Sequence, residues 1–380
     1  MLPTLGILGG GQLGRMTALA AARLGVPVRV LADAETGTGR PLADVTVADW
    51  TDPFVLRDWA EGCDVVTVES EWAPADRLLD VLPDGVRLCP GVPTLVAVRH
   101  KGRQRARLAL SGLPQPEHVR AATREEAYDA LERFGEAVLK RFEGSYDGYG
   151  NATVRSPDDV APAWEALAVP AGDGREPGGL LVEAFVPFLA EAAVTVARRA
   201  DGEAVVYPAV RSEHRDHRLH AASTPAGFSD ATEGAARRVA LETVAALDVT
   251  GVATVELFVT GPGEVLVNEV APRPHNTAHL TIDASHTSQF ENHVRAALGL
   301  PLGDAGLRVP AACMVNVLGR REGDAAPDLG AALAVPGASV HLYGKDEVRP
   351  ARKMGHVTVT ADSPDDARQR AEAAAAAVGL

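Results

Sequence analysis

The apolar positions at the start of the chain come as short unbroken runs closed by glycine, not as alternating stripes. Leu5–Leu8 runs into a glycine loop ending at Gly14, a helix follows to Leu24, and Val28–Leu31 forms the next run. Such runs predict parallel strands covered on both faces. Asp64–Val68 and Val86–Cys89 extend the same open sheet, and Pro90-Gly91-Val92-Pro93 reads as a boundary. Beyond it the pattern changes. A basic helix, VRHKGRQRARLAL, leads to the turn SGLPQP, and a helical stretch from Thr123 precedes the strand EAVLKRF and a glycine-rich loop, EGSYDGYGN. Past a polar insertion, AGDGREPGG, comes the strand LLVEAFV, then the alternating segments EAAVTVARR and EAVVYPAV. Alternation suits an antiparallel sheet with one wet face. A helix from Asp230 to Leu247 precedes GVATVELFVT and EVLVNEVAP, which a GPGE turn joins. The strands MVNVLG, SVHLYG and GHVTVT and a last helix follow, with no internal repeat. The pattern predicts an α/β unit at 1–93, a central α+β unit at 94–302 and a tail unit at 303–380.

Composition narrows the classes. A chain of 380 residues with 46% apolar positions can bury several cores, and no segment is apolar for long enough to span a bilayer. The opening MLPTLGILGG reads as a strand entering a turn, not as a signal peptide, and AEAAAAAVGL reads as a terminal helix. A net charge of −14 opposes nucleic-acid backbones, whereas a few well-placed cations suffice for a nucleotide. Cys63, Cys89 and Cys313 lie far apart with no CxxC pair, which fits small core residues in a reducing cytoplasm.

Gly9-Gly10-Gly11-Gln12-Leu13-Gly14 matches G-x-G-x-x-G, and Asp33 stands at the end of the next strand, where an acid that binds ribose is expected. On this segment alone a dehydrogenase is a fair reading. The motif encodes only close approach of backbone N–H groups to a polar ligand, and many ligands exploit that.

A second constellation points elsewhere. Lys140 ends the apolar run AVL, and the glycine-rich loop follows it. A strand lysine can meet nucleotide phosphates while backbone N–H groups close over them; an exposed hairpin tip is the alternative. Glu256 in TVELFV and Glu269 in LVNEVAP fall on strands joined by a tight turn. Acids in apolar strands are costly unless paired or bound to a cation, so the two together suit Mg²⁺, with Asn268 adding an amide oxygen. Two outward-facing surface acids are the other reading. PRPHN supplies Arg273, His275 and Asn276, and EVRPARKMGH supplies Arg349, Arg352 and Lys353. Two dense basic stretches in an acidic protein suit an anionic partner. His214, His217 and His220 recur every third residue, but their run, SEHRDHRLH, is so polar that a solvated or substrate-facing segment is favoured over a metal site.

The set GGGQLGRM, LKRFEGSYDGYGN, VELF, NEVAPRPHNTAHLT, SQFENHVRA and EVRPARKMGH, spread in order over nearly the whole chain, resembles the N5-carboxyaminoimidazole ribonucleotide synthetases, ATP-grasp ligases of purine biosynthesis. The resemblance implies an ATP-grasp fold with an N-terminal Rossmann-like domain, a small lobe at about 120–185, a small C-terminal domain and a homodimer. It implies ATP and Mg²⁺ as cofactors, with bicarbonate and aminoimidazole ribonucleotide as substrates. Lys101 and Lys140 would touch the phosphates under a flap of Ser145, Tyr146, Asp147, Gly148, Tyr149, Gly150 and Asn151. Glu183, Ala184, Phe185 and Val186 would form the adenine hinge, Glu191 would take the ribose, and Glu256 and Glu269 would hold the metal. Gly11, Gln12, Leu13 and Glu71 would bind the ribonucleotide. Tyr146, Arg273, His275, Asn276, Arg349, Arg352 and Lys353 would surround the reacting groups, with Tyr146, Arg273, His275 and Lys353 catalytic and His275 a proton shuttle.

The chain departs from the family pattern in three places. Tyr149 stands where a basic residue is usual, VESEW replaces a segment like YEFEN, and NTAHLT replaces NSGHWT. These changes gather at the acceptor end, so a related ligase acting on a different amine stays open.

Overall fold

The computed structural model describes residues 2–33, 43–73, 78, 80–144, 149–168 and 179–380. The N-terminal unit is a five-stranded parallel sheet in the order Asp44–Val47, Val28–Ala32, Leu5–Leu8, Val65–Val68, Arg87–Cys89. Leu5–Leu8 is central and wholly buried, which explains its unbroken apolar run. Leu5 and Ile7 pack with Met16 of the helix Gln12–Arg23 and with Phe290 and Val294 of the helix Gln289–Leu298. Leu8 joins Leu56 and Trp59 on the opposite face. The edge strand Asp44–Val47 carries no apolar run; two of its four residues are exposed, so periodicity could not announce it.

Besides a two-stranded antiparallel sheet of Gly323–Asp324 with Glu347–Val348, two larger ones follow among the described residues. The smaller has the order His118–Ala121, Leu180–Ala184, Ala137–Arg141, Asn151–Val154. Helices Arg124–Phe134 and Pro157–Leu167 supply the other half of its core. The larger sheet runs Glu264–Ala271, Gly251–Gly261, Ala190–Arg198, Val210–Arg215, Arg218–Thr224, with Ala204–Val206 on the side. It continues without a break into Ala311–Leu318, Lys353–Ala361 and Ala338–Leu342, through pairs such as Ala221–Val315. The helix Asp230–Ala246 buries Ala235, Val239 and Val244 against Val194, Val255 and Val267 of this sheet. Among the described residues no helix is long and apolar enough to cross a membrane.

The glycine loop differs from its sequence reading. The helix begins at Gln12, inside the motif, and Gly14 is already helical. The occupant of the loop's N–H groups is internal: Glu69 accepts from Gly11 N at 2.5 Å and from Leu13 N at 3.0 Å. Burial pushes the Glu69 carboxyl up, against the pull of N–H groups from Gly11, Leu13 and Gly14. The glycines follow from this packing. A Cβ at Gly11 would lie 2.2 Å from Glu69 Oε1, one at Gly9 2.7 Å from Glu69 Cβ, and one at Gly14 2.7 Å from the Gly9 carbonyl. The position a dinucleotide pyrophosphate would take is filled, which argues against the dehydrogenase reading.

Candidate active site

A cleft of about 1490 Å³ lies between the two antiparallel sheets and reaches the carboxyl ends of the parallel strands. The hairpin Gly251–Gly261/Glu264–Ala271 sets its acids. Glu256 and Glu269 are direct cross-strand partners and line the cleft together. The next pair is Leu257 with Val267, so Asn268 is an extra residue in a β-bulge. A bulge re-aims a side chain that strict alternation would turn away, and Asn268 and Glu269 both line the cleft. Burial first, and then the Glu269 charge, pushes the Glu256 carboxyl up to about 7. Lys101 Nζ stands 2.9 Å from Glu269 Oε1. Two hard oxygen donors that repel each other, with an amide oxygen alongside, suit Mg²⁺ and nucleotide phosphate oxygens.

Lys140 lies 2.6 Å from Glu183 Oε2 and 3.4 Å from Asn268 Oδ1. The second oxygen of Glu183 takes Arg105 Nε at 2.5 Å, and Arg105 also donates to the carbonyls of Val267 and Asn268, each at 2.7 Å. Burial resists the Glu183 charge, but Lys140 and Arg105 outweigh it and bring the carboxyl down to about 2. The Glu183 carboxylate is thus paired with Lys140 and Arg105, while the residue itself lines the cleft. Ala184, Phe185 and Val186 do line the cleft, and Phe188 stacks on Phe258 at 4.8 Å, offering an apolar slot beside them. His214 Nδ1 donates to Glu191 Oε2 at 2.8 Å, on neighbouring strands.

At the other end Arg273 grips Glu71 with two bonds, 2.6 and 3.2 Å, joining the loop after Ala271 to the end of the strand Val65–Val68. Burial resists the Glu71 charge, yet Arg273 holds its carboxyl below the ordinary range. His275 Nε2 is 3.8 Å from Glu256 Oε1. Burial, then Arg273 and Lys353, pushes the His275 imidazole well below its usual pKa, so the ring is neutral at pH 7. Neither amide atom of Asn276 has a partner among the described residues, although both are buried and the residue lines the cleft. Such a group is normally satisfied, so this amide is suited to a ligand.

Gly11, Gln12, Leu13 and Lys353 also line the cleft, as the sequence reading expects. Arg349 does not; it is exposed and pairs with Glu347 at 2.7 Å, while Arg352 donates to the Glu347 carbonyl. Asn151 begins a strand and pairs with Lys140, so it lines the cleft as sheet and not as flap. Tyr149 is 63% exposed, with the Arg141 guanidinium 6.0 Å from its ring, and Gly150 takes φ +86° in the turn before Asn151. Ser145, Tyr146, Asp147 and Gly148 lie outside the described residues. His214 and His217 line the cleft while His220 turns to Glu372, so the histidine run faces two ways, and no metal cluster occurs among the described residues.

Sequence reasoning missed Lys345, whose Nζ bonds Gln12 Oε1 at 2.8 Å and the Lys353 carbonyl at 2.7 Å. Burial, then Arg352, lowers its ammonium to about 8 against the pull of Glu69. Its only signal was a lysine after a strand, YGK. Glu69, at the end of an apolar strand, and Arg105, in the middle of a basic helix, carried signals of the same weakness.

Residues 106–290 match the family described as "ATP-grasp domain", residues 2–98 the "Ribonucleotide synthetase preATP-grasp domain", and residues 312–370 the "Phosphoribosylaminoimidazole carboxylase C-terminal domain". Fold and cleft together define an ATP-grasp enzyme, a ligase that forms carbon–nitrogen bonds. An N5-carboxyaminoimidazole ribonucleotide synthase of Mycobacterium bovis is 39% identical over 383 residues, covering 98% of this chain and 87% of that protein. The crystal structure of N5-carboxyaminoimidazole synthase from Aspergillus clavatus, in complex with ADP and 5-aminoimidazole ribonucleotide, matches with a TM-score of 0.88 and 33% identity, covering 99% of this chain and 98% of that one. The chain belongs to the N5-carboxyaminoimidazole ribonucleotide synthase family. The chloroplastic phosphoribosylaminoimidazole carboxylase of Vigna aconitifolia is 38% identical over 366 residues; the match covers 94% of this chain and 64% of that longer relative.

Proposed function

We propose that the chain uses ATP to activate bicarbonate and places the carboxyl group on the amine of 5-aminoimidazole ribonucleotide, giving N5-carboxyaminoimidazole ribonucleotide. One observation carries this reading: a single cleft joins a phosphate lysine and an acid pair to an Arg273–His275–Asn276–Lys353 cluster. Bicarbonate oxygen attacks the γ-phosphorus, the bond to the β-phosphate bridging oxygen breaks, and ADP leaves. The amine nitrogen then attacks the carboxyl carbon of carboxyphosphate, or carbon dioxide freed from it. On either route the C–O bond to phosphate breaks, inorganic phosphate leaves, and the nitrogen passes a proton to that phosphate as the N–C bond forms. Lys140, held by Glu183 and Asn268, stands ready for the phosphoryl oxygens, and catalysis at that centre is mainly positioning and electrostatics. Arg273 and Lys353 favour the anionic intermediate. Exclusion of water from the cleft would protect that intermediate. Glu256 and Glu269, with Asn268, would hold Mg²⁺, which neutralises charge on the phosphate oxygens when bound.

Lys345, Arg352 and Lys353 form a basic group near Gln12 that suits a phosphorylated acceptor. Tyr149, in place of a basic residue, favours the second reading, a ligase for another amine. A cytoplasmic homodimer fits the family resemblance and the three unpaired cysteines.

Phosphate release from ATP, Mg²⁺ and bicarbonate, measured with and without the ribonucleotide, tests the reading. Strong stimulation by the ribonucleotide is the expected result; turnover on bicarbonate that ignores it sends the search to another amine. The metal assignment adds a pH dependence. Glu256 must be ionised to bind a cation, and its carboxyl titrates at about 7. Apparent Mg²⁺ affinity with nucleotide bound should therefore weaken as pH falls from 8 to 6, about tenfold per unit once below 7, where proton and metal compete. Titration calorimetry at several pH values reads this directly, and an affinity flat over that range removes Glu256 from the metal site.

A further inference from the structure

Gln289, the first residue of the helix Gln289–Leu298, is fully buried and is not among the residues that line the cleft. Its amide nonetheless grips the loop that carries Arg273, His275 and Asn276. Oε1 accepts the backbone N–H of His275 at 2.8 Å, and Nε2 donates to the carbonyl of the same residue at 2.8 Å. One backbone partner can only donate and the other can only accept, so the amide has one orientation. Nε2 also donates to His279 Nδ1, 3.0 Å away. An amide nitrogen brings hydrogens and no lone pair, so His279 Nδ1 accepts and the ring keeps its proton on Nε2.

His275 is set in the same sense by its own loop. The backbone N–H of Thr277, which can only donate, approaches Nδ1 at 3.5 Å, and the Thr277 hydroxyl lies 2.9 Å from it. Nδ1 is thus an acceptor, and the proton sits on Nε2, the atom nearest Glu256.

We propose that Gln289 is a positioning residue for the carboxylation: it clamps the His275 peptide and fixes the His279 tautomer, and so holds in place the loop on which Thr277 leaves His275 to present Nε2–H to the cleft as a hydrogen-bond donor. The inference rests on the reading of the cleft as a bicarbonate and phosphate site. A donor suits the oxygen of bicarbonate or of the intermediate made from it. Proton uptake at Nε2 is closed to such a ring, since that nitrogen is already protonated and Nδ1 is engaged by Thr277. The role this proposal gives His275 is anion binding through Nε2–H, in place of the proton shuttling that the resemblance implies.

Gln289→Glu in the full chain is the discriminating variant. It keeps the acceptor for His275 N–H but sets a carboxylate oxygen against the His275 carbonyl and asks His279 for a proton on Nδ1. The bicarbonate KM should rise about tenfold or more, as expected when a reacting group loses its alignment, while the ATP KM changes less than about twofold. A folded variant with an unchanged bicarbonate KM overturns the proposal, as does an equal loss for both substrates. The second measurement needs no variant activity: ¹⁵N-histidine NMR of the wild-type chain at pH 7, assigned with His275→Gln and His279→Gln. Nε2–H tautomers at both residues are expected, and Nδ1–H at either one overturns the proposal even if Gln289→Glu fails to fold. Absence of phosphate release stimulated by ribonucleotide in the wild type would instead defeat the function proposed above and leave the tautomer result to stand on its own.

Discussion

Changing Glu256 and Glu269 together to glutamine is expected to lower ATP turnover by about a thousandfold or more while the protein stays folded, because the reaction relies on charge stabilisation at the phosphates. The shapes are retained and only the charges go. Fold stability should survive for a reason the structure makes plain. The Glu256 carboxyl is raised to about 7 by burial and by Glu269, so its ionised form is disfavoured in the native state. A carboxyl raised above its unfolded value costs stability as pH climbs from that value through the folded one. Removing it should flatten the fall in stability between pH 5 and 8. The lost Lys101–Glu269 pair counts for little, since the Glu269 side chain is 37% exposed. Thermal unfolding across that pH range and steady-state phosphate release are the two measurements. Turnover within tenfold of wild type would mean that these acids do not hold the metal.

Arg273→Ala should cost both activity and stability, and the two losses can be separated. Arg273 is the bidentate partner of Glu71, whose side chain is only 12% exposed. Stranding such a carboxylate costs roughly 3–5 kcal/mol. In the wild type the Glu71 carboxyl is depressed, so its stabilisation is present above the unfolded carboxyl range and is lost as pH falls through the folded value. Without Arg273 the sign reverses. Burial then raises Glu71, and the deficit should be largest near pH 8 and shrink towards pH 5. A double variant, Glu71→Ala with Arg273→Ala, should recover much of the stability in urea unfolding. Its kcat/KM should stay down by about a thousandfold, the effect expected of a removed transition-state donor. Recovery of activity along with stability would reduce Arg273 to a counter-ion for Glu71.

Much of this cleft was legible because its chemistry sits in places where apolar patterning is broken. Glu256, Glu269 and Lys140 interrupt buried strands, and an interruption of that kind is costly enough to need a partner. The parallel sheet was legible too, since runs like Leu5–Leu8 mean cover on both faces. Geometry that depends on register was not. Periodicity alone left the facing of Glu256 and Glu269 open, and a one-residue bulge at Asn268 decided it. Pairing across long sequence separations was equally hidden: Glu183 with Arg105, Glu71 with Arg273 and Lys345 with Gln12 bring together segments that no local pattern connects. Arg349 shows the converse. Its neighbours in a basic motif suggested a ligand, while in this structure its exposed side chain pairs with Glu347 and does not line the cleft.

The internal carboxylate in the loop Gly9–Gly14 has a consequence for how this unit meets a substrate. Amides that converge on a loop and a helix start need an acceptor, and here one arrives with the fold itself, on the neighbouring strand. The loop can be well formed before any substrate arrives, because Glu69 already accepts from its amides. A run of spaced glycines thus records that backbone amides are gathered around an acceptor, and says nothing about whether that acceptor is cargo or a side chain the protein has kept for itself.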